Sequence, residues 1–329
     1  MLSHTSEDIT GRDPKGWALK ALLYNNIIYN STAEFRKAYN TPGFVKLNKV
    51  VQGDWMATRR QGERLPLDEL PPPMAVQAQG PRYLLDENNK YIEWMDFSFY
   101  IGFSRDLGPS LHQIKYQGKR IIYELGLQEA MSHYAGNNPM SSGTSYLDSY
   151  YGIGSFVYHL IPGYDCPEYA TFLDNWVHEN GHTANQKNSL CIFEQDAGYT
   201  MQRHTAINEV SLEARHRGYA SATRNTVLVV RAVASISNYD YTFDYYFYLD
   251  GSIEVKVRAS GYILGAFYAN NEDYGYHIRE ALSGSMHTHV INFKADIDIL
   301  GEKNTLEKIS LIPTTEKCVN SPYETRWIG

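Results

Sequence analysis

The sequence has 329 residues, with 30 Lys+Arg against 37 Asp+Glu and a formal net charge of −7. Hydrophobic residues make up 43% and charged residues 20%, which allows a sizeable core and excludes wholesale disorder. A mildly acidic chain without a basic run does not suit a nucleic-acid partner, and no apolar stretch approaches the roughly 18–20 residues of a membrane span.

In chain order, residues 1–8 are polar, with no apolar signal core after them, and the last four residues form no retention or peroxisomal address. Residues 16–30 mix helical and extended apolar spacings. Residues 31–39 read as a short helix capped by Ser31 or Thr32. A loop rich in charge and proline ends in Pro71-Pro72-Pro73, the best linker, so a boundary is expected near residue 75 between 1–75 and 76–329. Beyond it the pattern is strand. Residues 92–103 are apolar and aromatic, 118–126 form a short strand, and 226–233 form a buried run. Asp250-Gly251 is expected as a two-residue hairpin turn of the primed type. After it Ile253, Val255, Val257 and Ala259 alternate with polar neighbours, giving one dry face. With 27 Tyr in the chain and no dinucleotide, P-loop, GxSxG or HExxH motif, a mainly β protein, a large β-sandwich, is predicted.

Three cysteines are too few for a disulfide scaffold; Cys166 and Cys191 could close one moderate loop, leaving Cys318 over. One glycosylation sequon, Asn30-Ser31-Thr32, is present.

Four stretches could carry chemistry. In His287-Thr288-His289, a strand would point both imidazoles the same way, toward one metal. Two ligands do not make a site, and the pair also reads as ordinary surface or core histidines. Asp296-Ile297-Asp298 offers two carboxylates and a carbonyl to a hard cation such as calcium, or simply a solvated acidic pair. On an unbroken strand the odd offset would put these aspartates on the face opposite the histidines. In Asn238-Tyr239-Asp240-Tyr241 a tyrosine follows a buried strand, where packing with a hydrogen-bonded hydroxyl is the ordinary reading. Asp148 sits among Tyr146, Leu147, Tyr150 and Tyr151. Burial there would raise its proton affinity toward that of a working base, whereas an exposed Asp would merely cap a loop.

Taken together, these stretches resemble the copper-containing, topaquinone-dependent amine oxidases. Residues 237–241 are similar to the family's Asn-Tyr-Asp/Glu-Tyr cofactor motif. Residues 284–289 (GSMHTH) match its His-x-His copper motif, and Asp296-Ile297-Asp298 its peripheral-metal motif. Tyr134 and Asp148 keep the spacing of the family's active-site tyrosine and base. Around Asp148 the chain reads Asp-Ser-Tyr-Tyr-Gly where the family has Asp-x-Gly-Glu-Tyr-Gly, one residue shorter and without the Glu. Residues 99–126 look like the family's strand framework, and GLQEAMSHYAGNNP looks like fungal members; the resemblance runs from about residue 50 to the end.

The resemblance implies oxidative deamination of primary amines by O₂ to aldehyde, ammonia and hydrogen peroxide. Copper held by His287 and His289 would convert Tyr239 to topaquinone. Asp148 would take the substrate α-proton, Tyr134 would hydrogen-bond the cofactor, Asn238 would restrain it, and Tyr146 would gate the channel. A second site for calcium or manganese at Asp296, Ile297 and Asp298 is implied too, with a Cys166–Cys191 disulfide, a homodimer, and an extracellular or peroxisomal setting. The family's third copper histidine has no counterpart here: the remaining histidines all lie upstream of the motif. The expectation is a chain truncated at both ends, holding the remainder of a small α/β domain and the N-terminal portion of the catalytic sandwich. Two readings compete with the enzyme: a non-catalytic remnant that keeps the motifs, and an aromatic-rich carbohydrate-binding sandwich.

Overall fold

Short antiparallel hairpins open the chain, β1 (Leu2–His4) with β2 (Trp17–Leu19) and β3 (Leu22–Tyr24) with β4 (Ile27–Tyr29). Helix α1 (Thr32–Tyr39) begins as predicted: the Ser31 hydroxyl accepts from Glu34 N at 3.1 Å, satisfying an orphan first-turn donor. Its Phe35 ring packs edge-on against Tyr29 at 5.2 Å. The prolines at 71–73 lie in a segment without helix or strand. The computed structural model describes residues 2–4, 17–19, 22–25, 27–46, 62–63, 65–67, 69–135, 142–207, 217–267, 276–279, 282–312, 314–316 and 326–328. Cys318, residues 136–141 of the fungal-like stretch and parts of 1–30 lie outside the described residues.

The first large sheet takes β5 (Leu84–Asp86), β6 (Tyr91–Trp94), β7 (Phe97–Ser104), β8 (Gly108–Tyr116), β9 (Lys119–Ala135) and β10 (Ser142–Leu147) in consecutive antiparallel order. Helix α2 (Asp148–Tyr151) and a 3₁₀ turn, Ile153–Phe156, lead to the second sheet. That sheet is β11 (Thr171–Glu179), β12 (His182–Ile207), β13 (Arg217–Ile236), β14 (Tyr239–Tyr248) and β15 (Ile253–Gly261), again consecutive. A small sheet of β16 (Gly265–Phe267), β17 (Tyr276–Arg279) and β18 (Leu282–Gly284) follows. Strand β19 (His287–Ile297) then returns to the first sheet and pairs with β9, and β20 (Thr314–Glu316) pairs with β21 (Arg326–Ile328).

The two sheets face each other across one core, the predicted sandwich. Phe97, Phe99 and Ile101 of β7 alternate inward and meet Tyr241, Phe243, Tyr245 and Phe247 of β14. Phe99 and Phe247 stack with ring centroids 4.4 Å apart. Val227, Leu228, Val229 and Val230 are all buried because β13 is covered on both faces. Leu228 and Val230 join the main core, while Val227 and Val229 join a second cluster with Leu160, Phe193 and the Cys166–Cys191 disulfide, which does form. On β15 the predicted dry face holds at Ile253, Val255 and Val257 but not at Ala259, which is exposed because the strand runs past the edge of the core there.

Three local expectations are corrected. Residues 92–103 are not one strand, because Trp94 pairs with Phe97 around a turn in which Met95 has φ 49°. The strand expected at 118–126 is only the first part of the 17-residue β9. The turn at Asp250-Gly251 is not a two-residue primed turn. Tyr248 N donates to Ser252 O and Gly251 N to Tyr248 O, with positive φ at Gly251 (92°) and not at Asp250, so three residues close the loop and the glycine takes the bulge position. A two-residue turn occurs instead at Ser237-Asn238, where Ile236 pairs with Tyr239. Ser237 there has φ 59°, a left-handed conformation costly for a serine, two residues before Tyr239.

Candidate active site

Four elements converge at one end of the sandwich. Strand β9 presents Ser132 and Tyr134 two residues apart, hence on one face. Strand β14 presents Tyr239 and Tyr241 by the same rule, β19 presents His287 and His289, and α2 contributes Asp148. Register ties them together: His287 pairs with Tyr134 and His289 with Ser132 across β9–β19.

The hydroxyl of Tyr239 lies 2.8 Å from His287 Nε2, and that of Tyr241 lies 2.8 Å from His289 Nδ1. His287 Nδ1 is 2.7 Å from Ser285 O. A carbonyl only accepts, so Nδ1 carries the proton and Nε2 presents its lone pair toward Tyr239, the tautomer a metal ligand needs. His289 Nδ1 is also 2.9 Å from the Ser132 hydroxyl. Burial, then the neighbouring His287, pushes the His289 imidazole below its ordinary value and favours its neutral form. The two imidazole centroids are 4.8 Å apart, so the pair suits two positions on one metal ion such as copper. Among the described residues no group of three or more His, Cys, Asp or Glu is placed to hold a metal, so completing a centre requires a donor beyond these two.

A cavity of about 240 Å³ opens beside the Tyr239 ring, and Tyr134, Tyr146, Asp148 and Asn238 line it. Asp148 is 4% exposed, and burial first, then the charge of Glu129, pushes its carboxyl up to about 7. Tyr134 stacks on His287 at 4.7 Å. Burial first, then its bond to the Tyr239 hydroxyl, raises the Tyr134 phenol far above its ordinary range. Burial pushes Tyr241 up to about 12. Neutral phenols and a carboxyl poised near neutrality make this end able to bind a polar group and accept a proton.

Asp148 lies off the strand of Tyr146: β10 ends at Leu147 and Asp148 opens a helical turn, yet both side chains reach the cavity. The Asn238 amide donates to Tyr262 O, so it anchors the turn before Tyr239. Asp298 is buried with Arg120 Nε 2.7 Å from its Oδ2, a charge contact without hydrogen-bond alignment, while Asp296 is exposed and Ile297 O accepts from Asn304. Arg120 and Asn304 thus hold two of the three groups expected to bind a second cation.

The sequence reading missed three contributors. Ser132 was findable, since it lies two residues before Tyr134. Glu129 was not, because its contact with residue 149 crosses the fold. Gly261 pairs with Tyr239, and a Cβ there would sit 2.2 Å from Asn238 O, so only glycine admits this approach of the two backbones.

The profile of the copper amine oxidase enzyme domain matches residues 85–328, and a domain of unknown function matches residues 4–63. The copper amine oxidase vicK1 of Bipolaris victoriae is 46% identical over 308 residues, covering 94% of this chain and 42% of that protein. The diamine oxidase of Sus scrofa is 32% identical over 311 residues, 90% of this chain and 40% of that protein. The crystal structure of Aspergillus nidulans amine oxidase superposes with a TM-score of 0.82 at 50% identity, over 97% of this chain and 42% of that one. The chain therefore spans about two fifths of the length of these relatives.

Proposed function

The chain belongs to the copper amine oxidase family, and on that premise we propose that it carries the cofactor side of a primary-amine oxidase site, with Tyr239 as the topaquinone precursor. The observation that supports this best is the 2.8 Å approach of the Tyr239 hydroxyl to His287 Nε2. His287 and His289 would hold copper as two of its ligands. Copper with O₂ supplies the oxidation that turns a tyrosine into a quinone, the electron acceptor by which a primary amine yields aldehyde, ammonia and hydrogen peroxide.

This chain's own side chains do the rest. Tyr134 hydrogen-bonds the Tyr239 hydroxyl while its own ring stacks on His287. Asp148, buried and with its proton affinity raised, accepts the α-proton of the substrate in the cavity it lines. Tyr146, edge-on to Tyr134 at 5.7 Å, flanks the space in which the amine lies. Asn238 keeps the turn closed through Tyr262, and with it the position of Tyr239. The segment Asp296 to Asp298 would take calcium or manganese only with Arg120 and Asn304 displaced. Homodimer formation belongs to the same proposal and is read by sedimentation.

The test is to add Cu(II) in air to metal-free protein and apply a quinone stain. Staining at the peptide containing Tyr239, with peroxide released on adding a primary amine, is the expected result; absence of stain at saturating copper rejects it. A second reading, a non-catalytic chain that keeps this geometry, is favoured by the two-imidazole donor set among the described residues. It predicts weak copper binding by calorimetry and no stain.

A further inference from the structure

One edge of β9 is shared by two partners. Strand β8 pairs with it as far as Gly126, and β10 from Met131 onward. Residues 127–130 have neither partner on that edge, and α2 packs there. On the other edge Asn292 pairs with Glu129 and Phe293 with Leu127, which leaves Gln128 as an extra residue. Such a bulge re-aims the side chains beside it. Glu129 Oε1 accepts from Ser149 N at 3.2 Å and from Ala130 N at 2.9 Å, and Oε2 accepts from the Ser149 hydroxyl. Ser149 is the residue next to Asp148. A half-buried carboxylate with three donors is held firmly, and so is the backbone it grips.

We propose that Glu129 is a positioning residue for the proton acceptor: its carboxylate fastens the first turn of α2 to the β9 bulge and sets a fixed negative charge beside Asp148. The inference rests on the reading of Asp148 as that acceptor. Glu129 touches neither the cavity nor Tyr239 among the contacts described, so it acts through Asp148. Among the described residues that line the cavity with Asp148, the other titratable groups are phenols: Tyr134 on β9, Tyr146 on β10, Tyr151 on α2, and Tyr239 and Tyr241 on β14. Glu129 is thus the charged neighbour through which the proton affinity of Asp148 is adjusted, in addition to burial.

The decisive measurement is an infrared titration of the 329-residue chain, without copper or amine, following the protonated-carboxyl band that Asp148→Asn removes. The midpoint expected for wild-type protein is about 7. Glu129→Gln keeps an acceptor for Ser149 but loses the charge; its midpoint falls, yet stays above the ordinary 3.8 because burial is the larger cause. Glu124→Gln, a change to a β9 carboxylate bonded to Lys294, leaves the midpoint in place. An unchanged midpoint in folded Glu129→Gln protein overturns the proposal. Should that variant not fold, Glu129→Asp decides, since drawing the charge back by one methylene must still lower the midpoint. Because no copper is needed, a chain that makes no quinone but shows this shift keeps the inference and loses only the proposed activity. Where oxidation is measurable, the acid limb of kcat/KM moves to lower pH in Glu129→Gln.

Discussion

The two ends of β14 have the same alternation and the same buried face but opposite surroundings. At the far end Phe247 stacks on Phe99 and meets Phe97 edge-on at 5.1 Å, with no polar atom for a partner. At the near end Tyr239 and Tyr241 stand in the same file, and their hydroxyls meet two imidazoles. Period two decides which rings point inward; only the strand opposite decides whether a ring is packing or chemistry. Tyr245 lies between the extremes, fully buried with its hydroxyl 3.3 Å from Pro109 O.

The comparison breaks most sharply at Tyr239. Tyr239→Phe loses quinone staining completely, while its unfolding free energy falls by about 1–3 kcal/mol with the hydrogen bonds that its hydroxyl makes to His287 Nε2 and accepts from Leu264 N; a stained Phe variant moves the precursor elsewhere. Asp148→Asn lowers amine turnover on the order of 10²–10⁴-fold, the usual contribution of a positioned base. It also stabilises the protein at pH 8. The folded carboxyl holds its proton to about 7 and the unfolded one to about 3.8, so stability present at low pH is lost as pH rises through about 7. Asparagine escapes a loss of up to about 4 kcal/mol, and denaturant titrations at pH 8 and pH 3 should show the gain only at the former. Phe247→Ala costs about 3–5 kcal/mol by cavity formation and leaves the near end able to bind Cu(II). The smallest effect is Tyr245→Phe, about 1 kcal/mol in chemical denaturation, without change in copper affinity.

What could be read in advance was local or motif-borne. The dry face of β15 at Ile253, Val255 and Val257, the cap at Ser31 and the buried run at 227–230 follow from the local pattern alone. Tyr239, His287 and His289 were legible through their resemblance to a family pattern, and their meeting depends on a β9–β19 pairing that no local rule specifies. The hairpin at 249–251 was misread because Asp-Gly suits both a two-residue turn and a glycine bulge. Gly261 and Glu129 were illegible for a common reason: each matters through a backbone far away in the chain, at Asn238 and Ser149.

Strand β9 leaves a constraint on how this protein can vary. Glu129, Ser132 and Tyr134 are spaced along a single backbone, so gaining or losing one residue between them would turn part of the set outward and strand the rest. Lengthening is tolerable before or after that stretch but not within it. Among homologues, the distance from the bulge to the tyrosine should therefore be invariant even where every loop around it has changed size.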